Sequence, residues 1–305
     1  MSEAGTGIGL ARLKAALSVA GAAPRKRHGQ HFLMDDNLLA AIVRDAGVQP
    51  DEQVLEVGPG PGLLTRHLLA AGARVTALEI DPAMRTVAGQ LVEAACWSRV
   101  EWIEADAMAG GRRLSLPMVE GLRAADRMVA NLPYNVAAPL LAAAVLQTAR
   151  EGQGPRGFTV LVQRELGQRM VAAPGSPDYG PLAVLLQLAG RVRLLRKVPA
   201  GAFWPAPKVE SVVVDVAPLG ASGPDLAGLP GLEAFLAAAF GQRRKTLVNS
   251  LAGSLGGTAT EAARRLGLEE NRRTWRAEAF HALELYDLAA QWAQPTPGER
   301  TRHDP

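Results

Sequence analysis

Short apolar β-type runs alternate with segments of helix-forming composition between residues 53 and 163 of this 305-residue chain. Gly, Pro or Asp bounds each run, as is typical of buried strands. The predicted strands are Gln53–Val57, Arg74–Ile80, Val100–Ile103, Arg127–Ala130 and Phe158–Gln163, and the predicted helices are Leu63–Ala71, Pro82–Ala95 and Pro139–Ala149. Because alternating strands and helices are joined by right-handed crossovers, this pattern predicts a doubly wound parallel sheet.

Two further β-type segments, Arg191–Val198 and Val209–Val216, are separated by the Pro-rich loop 199–207. A loop without helical character predicts a long antiparallel hairpin. The complete pattern resembles the α/β fold of class I (Rossmann-like) S-adenosylmethionine-dependent methyltransferases. We therefore expect a seven-stranded, mostly parallel sheet.

The composition changes after this sheet. Residues 218–230 are rich in Gly, Pro and Ser, which indicates a linker. Helical patterns follow, so we expect a small all-helical domain at 231–293 and a flexible tail at 294–305. The remaining predicted boundaries are a flexible extension at 1–23 and a catalytic domain at 24–217.

Bulk properties exclude several classes of protein. Cys96 is the single cysteine, which rules out an internal disulfide and a cysteine-based metal cluster, and we predict no metal site. No apolar run approaches the length needed to cross a bilayer. Residues 1–23 lack the ordered features of a signal peptide, so we expect a cytoplasmic protein, and we expect it to be a monomer.

A glycine-rich loop, residues 56–62, lies between the first predicted strand and the first predicted helix. Such a loop occurs in both dinucleotide and S-adenosylmethionine sites. The spacing Gly58-x-Gly60-x-Gly62 departs from the G-x-G-x-x-G of pyrophosphate binders. Glu56 would also lie poorly beside a phosphate. Both features favour a cofactor whose tail is an amino acid with a free ammonium group.

Polar side chains follow the next three strands. Glu79 ends the second strand, where a carboxylate can accept hydrogen bonds from both ribose hydroxyls. Asp106 follows the third and would accept a hydrogen bond from the adenine amino group. Each acid has an alternative role as a helix cap or turn residue, and Asp81 before Pro82 is expected to be such a cap. With Asn131 after the fourth strand, the order along the chain predicts an S-adenosylmethionine site.

The tetrapeptide Asn131-Leu132-Pro133-Tyr134 follows the fourth strand. It offers an amide, a backbone carbonyl that precedes a proline, and an aromatic face, which together can hold a flat base by its exocyclic amino group. The alternative is an ordinary strand that ends in a proline turn.

Several segments between Arg25 and Leu251 together resemble the small-subunit type of ribosomal RNA adenine dimethyltransferase. They are 25–33, the Glu-Val-Gly-Pro-Gly loop, Leu-Glu-Ile-Asp, Asn-Leu-Pro-Tyr-Asn, 163–165 through 179–180, Phe-Trp-Pro-Ala-Pro-Lys-Val-Glu-Ser and 240–251. The resemblance implies N6,N6-dimethylation of two adjacent adenosines in the 3′-terminal hairpin of 16S rRNA, within an immature small ribosomal subunit.

The resemblance also implies roles for particular residues. Tyr134 would stack on the target base, with Phe203, expected to be exposed, on its other side. The family usually has Asn where this chain has His31, whose side chain either contacts the cofactor or has a surface or capping role. The implied cofactor contacts are His31, Leu33, Gly58, Gly60, Glu79, Asp106 and Asn131.

Clustered cations predict RNA binding by phosphate contact, although a solvated surface is the alternative. They are Arg25, Lys26, Arg27, Arg243, Arg244 and Lys245. A large-subunit rRNA adenine methylase and a non-catalytic ribosome assembly factor with the same fold remain alternative functions.

Overall fold

The predicted strands assemble into one seven-stranded sheet in a computed structural model that describes residues 7–24, 29–255 and 257–294. The chain divides into two compact units. The first runs to Gln168 and includes Gly190–Pro218, and the second comprises Arg169–Ala189 and the chain from Leu219 onward.

The strands of the large sheet are β2 (Gln53–Val57), β3 (Arg74–Glu79), β4 (Val100–Glu104), β5 (Arg127–Asn131), β6 (Phe158–Gln163), β7 (Gly190–Val198) and β9 (Ser211–Pro218). Their order in the sheet is β4-β3-β2-β5-β6-β9-β7. Strands β2 to β6 are parallel, and β9 and β7 form the predicted antiparallel hairpin. The strand order reverses between β2 and β5, which is where ligands bind in open α/β sheets.

A second, two-stranded antiparallel sheet lies in the same unit. It pairs β1 (Phe32–Leu33) with β8 (Phe203–Trp204), and Phe32 lies opposite Trp204. This small sheet joins the segment before the second helix of the chain to the Pro-rich loop of the hairpin.

Helices cover both faces of the large sheet. They are α1 (Leu10–Val19), α2 (Asp36–Ala46), α3 (Leu63–Ala70), α4 (Pro82–Leu91), α5 (Leu116–Ala124), α6 (Ala137–Glu151) and α7 (Arg164–Met170), which spans the division between the units. Alternate strand residues, such as Val75 and Ala77, belong to a core that also contains buried residues of the first four helices, and α5 packs against β2 and β3. Asp81 caps α4, as expected, by accepting a hydrogen bond from the Ala83 N–H.

The extension predicted at 1–23 contains a helix in the part that the structure describes. Helix α1 packs against α4 and buries Leu13, Ala16 and Leu17. These residues are spaced by three and four positions, so they form one apolar stripe. Because that stripe is short and weakly amphipathic, it gave little signal without its partner helix.

We expect Leu13→Ala to lower the free energy of unfolding by about 2–5 kcal/mol, since truncation of a large buried side chain leaves a cavity. Leu13 is fully buried, whereas Leu10 on the same helix is 37% exposed. Urea denaturation of both alanine variants is the measurement. If Leu10→Ala is as destabilising as Leu13→Ala, the packing of α1 is not as described.

The second unit is helical, as predicted, but its boundaries differ from the prediction. Its helices are α8 (Pro181–Ala189), α9 (Leu232–Phe240), α10 (Leu247–Leu255), α11 (Ala259–Arg265) and α12 (Ala282–Ala293). Residues 219–230 of the expected linker pack within this unit, because Leu226 and Leu229 are buried and the Tyr286 hydroxyl donates to the Asp225 carbonyl. The segment 169–189 also belongs to it, since α8 packs against α9 and α12.

Within the described ranges, no helix has the length and apolar character needed to cross a membrane. The same residues contain no cluster of three His, Cys, Asp or Glu side chains that could hold a metal ion.

Candidate active site

One cavity lies at the carboxyl ends of the central strands, where the strand order reverses between β2 and β5. It joins the glycine-rich loop, the acids that follow β3 and β4, the turn after β5 and the segment around β1. All but one of the predicted catalytic and cofactor residues line it: His31, Leu33, Gly58, Gly60, Glu79, Asp106, Asn131, Leu132, Pro133 and Tyr134.

The glycine-rich loop requires glycine for two reasons. Gly58 and Gly60 have φ values of 68° and 53°, in the left-handed region that other residues rarely adopt. A Cβ at Gly58 would lie 3.3 Å from Pro133 Cδ, and one at Gly60 would lie 3.1 Å from Phe32 Cε1. The absence of side chains therefore lets the turn after β5 and strand β1 close against this loop.

Glu79 fixes the glycine-rich loop from the next strand. Its Oε2 accepts a hydrogen bond from the Gly60 N–H and its Oε1 accepts one from the Asp81 N–H, both at 2.9 Å. Burial raises the pKa of Glu79, although these hydrogen bonds oppose the shift. Each carboxylate oxygen has a second lone pair, so the group can still accept hydrogen bonds from a diol in the cavity.

Glu56 is a second buried acid in the wall of the cavity. The Thr65 hydroxyl donates to its Oε2 at 2.6 Å. Burial, opposed by that hydrogen bond, raises the pKa of Glu56 to about 8. Among the described residues, no Lys, Arg or His forms an ion pair with Glu56 or Glu79.

Two buried acids without a basic partner suit a ligand that carries positive charge and hydroxyl groups, and they disfavour a pyrophosphate. S-adenosylmethionine has a sulfonium, an ammonium group and a ribose diol. The hydrogen-bond acceptors of the cavity therefore fit this cofactor.

The adenine of the cofactor could lie at the rim of the cavity, near Asp106 and Ile80. Asp106 is exposed and its Oδ1 accepts a hydrogen bond from the Met108 N–H at 2.9 Å. Ile80 also lines the cavity and is 48% exposed, which is unusual for a large apolar side chain next to a buried strand. Ile80 was not among the site residues predicted from the sequence. Its position between two acids at the end of β3 was the available signal.

The carboxamide of Asn131 has a fixed orientation. Its Nδ2 donates to the His31 carbonyl at 3.1 Å. Because a carbonyl can only accept, the nitrogen must face His31, and Oδ1 remains as an acceptor.

The two backbone carbonyls proposed to follow Asn131 are not equivalent. The Pro133 carbonyl accepts hydrogen bonds from Val136 N–H (3.1 Å) and Ala137 N–H (3.0 Å) at the start of α6. In the described part of the chain, no hydrogen bond uses the Leu132 carbonyl. Among the described residues, the Pro133 carbonyl is therefore already used, whereas the Leu132 carbonyl remains available as an acceptor.

Tyr134 presents a fixed aromatic ring at the same place. Its hydroxyl is hydrogen-bonded to Ser211 Oγ at 2.8 Å, and burial raises the pKa of the phenol. The His31 ring stacks on it, with centroids 5.3 Å apart and planes inclined by 23°. The phenol is therefore uncharged near neutral pH and cannot swing freely.

The expectation that Phe203 is exposed is wrong. It is 4% exposed, lies opposite Leu33 in the two-stranded sheet and belongs to the core of the first unit. The Pro-rich composition of its loop suggested exposure, but strand pairing turns this ring inward. Phe203 does not line the cavity, so the structure gives no support to its stacking on a base.

The predicted RNA-binding cations have different environments. Arg25, Lys26 and Arg27 lie outside the described residues. Arg243 donates to the carbonyls of Pro177 and Tyr179, which gives it a structural role within the second unit. Arg244 and Lys245 are exposed in the turn before α10.

The fold has solved counterparts. A dimethyladenosine transferase from Plasmodium falciparum has a TM-score of 0.66 and 23% identity, covering 85% of this chain and 96% of that one. The 23S rRNA methyltransferase ErmE has a TM-score of 0.54 and 24% identity, covering 86% and 100%. Fold and cavity together define a class I S-adenosylmethionine-dependent methyltransferase.

The sequence comparisons are more specific. The family model described as ribosomal RNA adenine dimethylase matches residues 21–291, and the chain belongs to this family. A Phenylobacterium zucineum protein named ribosomal RNA small subunit methyltransferase A is 39% identical, over 96% of this chain and 98% of its own length. A protein of the same name from a Jannaschia species is 44% identical, over 80% and 82%. S-adenosylmethionine is the cofactor of this methyltransferase.

Proposed function

We propose that this enzyme dimethylates N6 of two adjacent adenosines in the 3′-terminal hairpin of 16S rRNA. It acts as a cytoplasmic monomer on an immature small ribosomal subunit. The observation that carries the proposal is the pair of acceptors, Asn131 Oδ1 and Leu132 O, in the cavity whose buried acids fit the cofactor. The names of the curated relatives support the small subunit as the substrate.

These acceptors explain how the weakly nucleophilic N6 amine of adenine is oriented for methyl transfer. The adenine N6 lone pair is delocalised into the ring, which makes the amine a poor nucleophile. Hydrogen bonds from its two N–H groups to Asn131 Oδ1 and Leu132 O favour a pyramidal nitrogen with a directed lone pair. When bound, S-adenosylmethionine supplies an electrophilic methyl group on its sulfonium. Orientation and electrostatics account for the catalysis. A general base is not required, because N6 becomes strongly acidic once it has gained the methyl group and then releases its proton to water.

The cofactor contacts follow from the lining of the cavity. Glu79 would accept hydrogen bonds from the ribose hydroxyls, and Asp106 would accept one from the adenine amino group. The ammonium group of the cofactor would lie near Glu56, where its charge would lower the free-energy cost of ionising this buried carboxyl. The remaining proposed contacts are His31, Leu33, Gly58, Gly60 and Asn131.

Methyl transfer from labelled S-adenosylmethionine to immature small subunits, compared with large-subunit precursors, tests the substrate. We expect label in two adjacent adenosines of the small-subunit RNA alone. Label in the large-subunit RNA would instead support the large-subunit methylase. Tight binding of small subunits without any transfer would support a non-catalytic assembly factor.

Arg244 and Lys245 are proposed to contact RNA phosphates, together with Arg25, Lys26 and Arg27. Neutralising Arg244 and Lys245 to Gln should reduce the slope of log affinity against log salt by about 1.5, since each phosphate contact contributes about 0.7–0.9. The measurement is RNA binding over a salt series.

Arg243→Gln is the matched control for this pair. Because Arg243 already donates to two carbonyls of the second unit, its loss should lower the stability of that unit more than the salt slope. A larger change of slope in Arg243→Gln than in the double variant would reverse the assignment.

A further inference from the structure

We infer that the His31 imidazole is a positioning residue for the target base: it supports one face of Tyr134, so that the base stacks on the opposite face. This inference rests on the proposed function. This role of the side chain at position 31 is additional to the cofactor contact proposed above for His31.

The ring of Tyr134 is held at its hydroxyl end and on one face. Its hydroxyl is bonded to Ser211 Oγ at 2.8 Å. The His31 ring covers one face at 5.3 Å and 23°. A base that enters the cavity can therefore stack only on the remaining face.

The imidazole is itself immobilised. His31 Nδ1 lies 2.7 Å from the Pro205 carbonyl. Since a carbonyl cannot donate, Nδ1 carries the hydrogen, which fixes both the tautomer and the plane of the ring.

The two-stranded sheet explains why His31 lies beside the Pro205 carbonyl. His31 precedes β1 and Pro205 follows β8, and these strands are antiparallel with Phe32 opposite Trp204. The buried Phe203 therefore supports the site only indirectly: its packing in β8 fixes the position of Pro205, which in turn holds the His31 ring. His31, Tyr134 and Asn131 form one connected group, since the His31 carbonyl also orients the Asn131 carboxamide.

Substitutions at position 31 distinguish the contribution of the aromatic ring from that of the hydrogen bond to Pro205. Asn can donate to a carbonyl but has no ring, whereas Phe keeps a ring and loses the donor. Stacked aromatic pairs contribute about two- to tenfold to an equilibrium or rate constant. We expect the single-turnover rate of methyl transfer at saturating RNA to fall about five- to tenfold in His31→Asn and in His31→Ala. His31→Phe should recover most of the loss.

A double-mutant cycle with Tyr134→Leu is the decisive test, because it measures whether His31 acts through the tyrosine ring. With Leu at position 134, His31→Asn should produce no further loss. The substrate is the immature small subunit, and circular dichroism with urea denaturation verifies that each variant is folded.

The outcomes are distinguishable. Independent losses in the cycle, or equal losses in His31→Phe and His31→Ala, would overturn the stacking role. Unchanged rates in all position-31 variants would also overturn it. If the unsubstituted enzyme does not methylate small subunits, the proposed function fails instead.

Discussion

Asn131→Ala should lower the rate of methyl transfer at least about a hundredfold, which is the usual effect of removing one preorganised polar group from a reaction centre. The substitution removes Oδ1, the acceptor that we assign to one N6–H, and it leaves the His31 carbonyl without the Nδ2 donor. Affinity for S-adenosylmethionine should change only a few-fold, because the acids and the glycine-rich loop remain. Single-turnover transfer and calorimetry with the cofactor alone measure the two effects separately.

Two further variants control this result. Asn131→Asp keeps an acceptor of the same shape but places an oxygen against the His31 carbonyl, so it should also be impaired, through orientation rather than loss of the acceptor. Asn37→Ala removes an exposed asparagine of α2 that does not line the cavity, and it should leave transfer unchanged. Near-normal turnover in Asn131→Ala would remove the proposed role of the carboxamide.

The large sheet was predictable because its signals are local. The central strands are short, largely apolar runs, and their alternation with helices determines the parallel order. The order of polar residues at successive strand ends then predicted one site, since parallel strands place their carboxyl ends at one edge. Gln53–Val57 has the predicted bounds, and the antiparallel hairpin is also confirmed.

The errors arise where partners distant in the sequence decide the structure. Phe203 is buried because Leu33, far earlier in the chain, pairs with it. Helix α1 is fixed by packing on α4, and segment 169–189 joins the second unit by packing on α9 and α12. These contacts leave little or no periodic signal within a single segment.

In the turn after β5, distant contacts also decide which single atom is available, and the sequence could not predict this. The sequence predicted that Leu132 or Pro133 supplies a carbonyl but could not choose between them. The choice depends on α6, whose first N–H groups use the Pro133 carbonyl. In the same way, the contact between His31 and Pro205 depends on the pairing of β1 with β8, which the sequence alone does not reveal.

The buried acid Glu56 should make the stability of the cofactor-free protein strongly dependent on pH. Its pKa rises on folding from an ordinary 4.5 to about 8, chiefly through burial. Below pH 4.5 both states are protonated and Glu56 imposes no penalty. As the pH rises towards 8 the unfolded state releases this proton while the folded state retains it, so the free energy of unfolding falls. The total loss is about 5 kcal/mol, because each tenfold difference in proton affinity between the two states corresponds to about 1.4 kcal/mol.

Glu56→Gln removes this titration and keeps an oxygen that can accept the Thr65 hydroxyl. Urea denaturation of the cofactor-free protein should therefore show a similar stability for both forms near pH 5 and a more stable variant near pH 8.5. Glu104→Gln, at an exposed glutamate that ends β4, controls for the loss of one carboxyl. The Glu56 variant should also bind S-adenosylmethionine more weakly, because the bound ammonium group would no longer find an ionisable partner. An equal pH dependence in Glu56→Gln and in the unsubstituted protein would mean that Glu56 is not the buried acid that limits stability in alkaline solution.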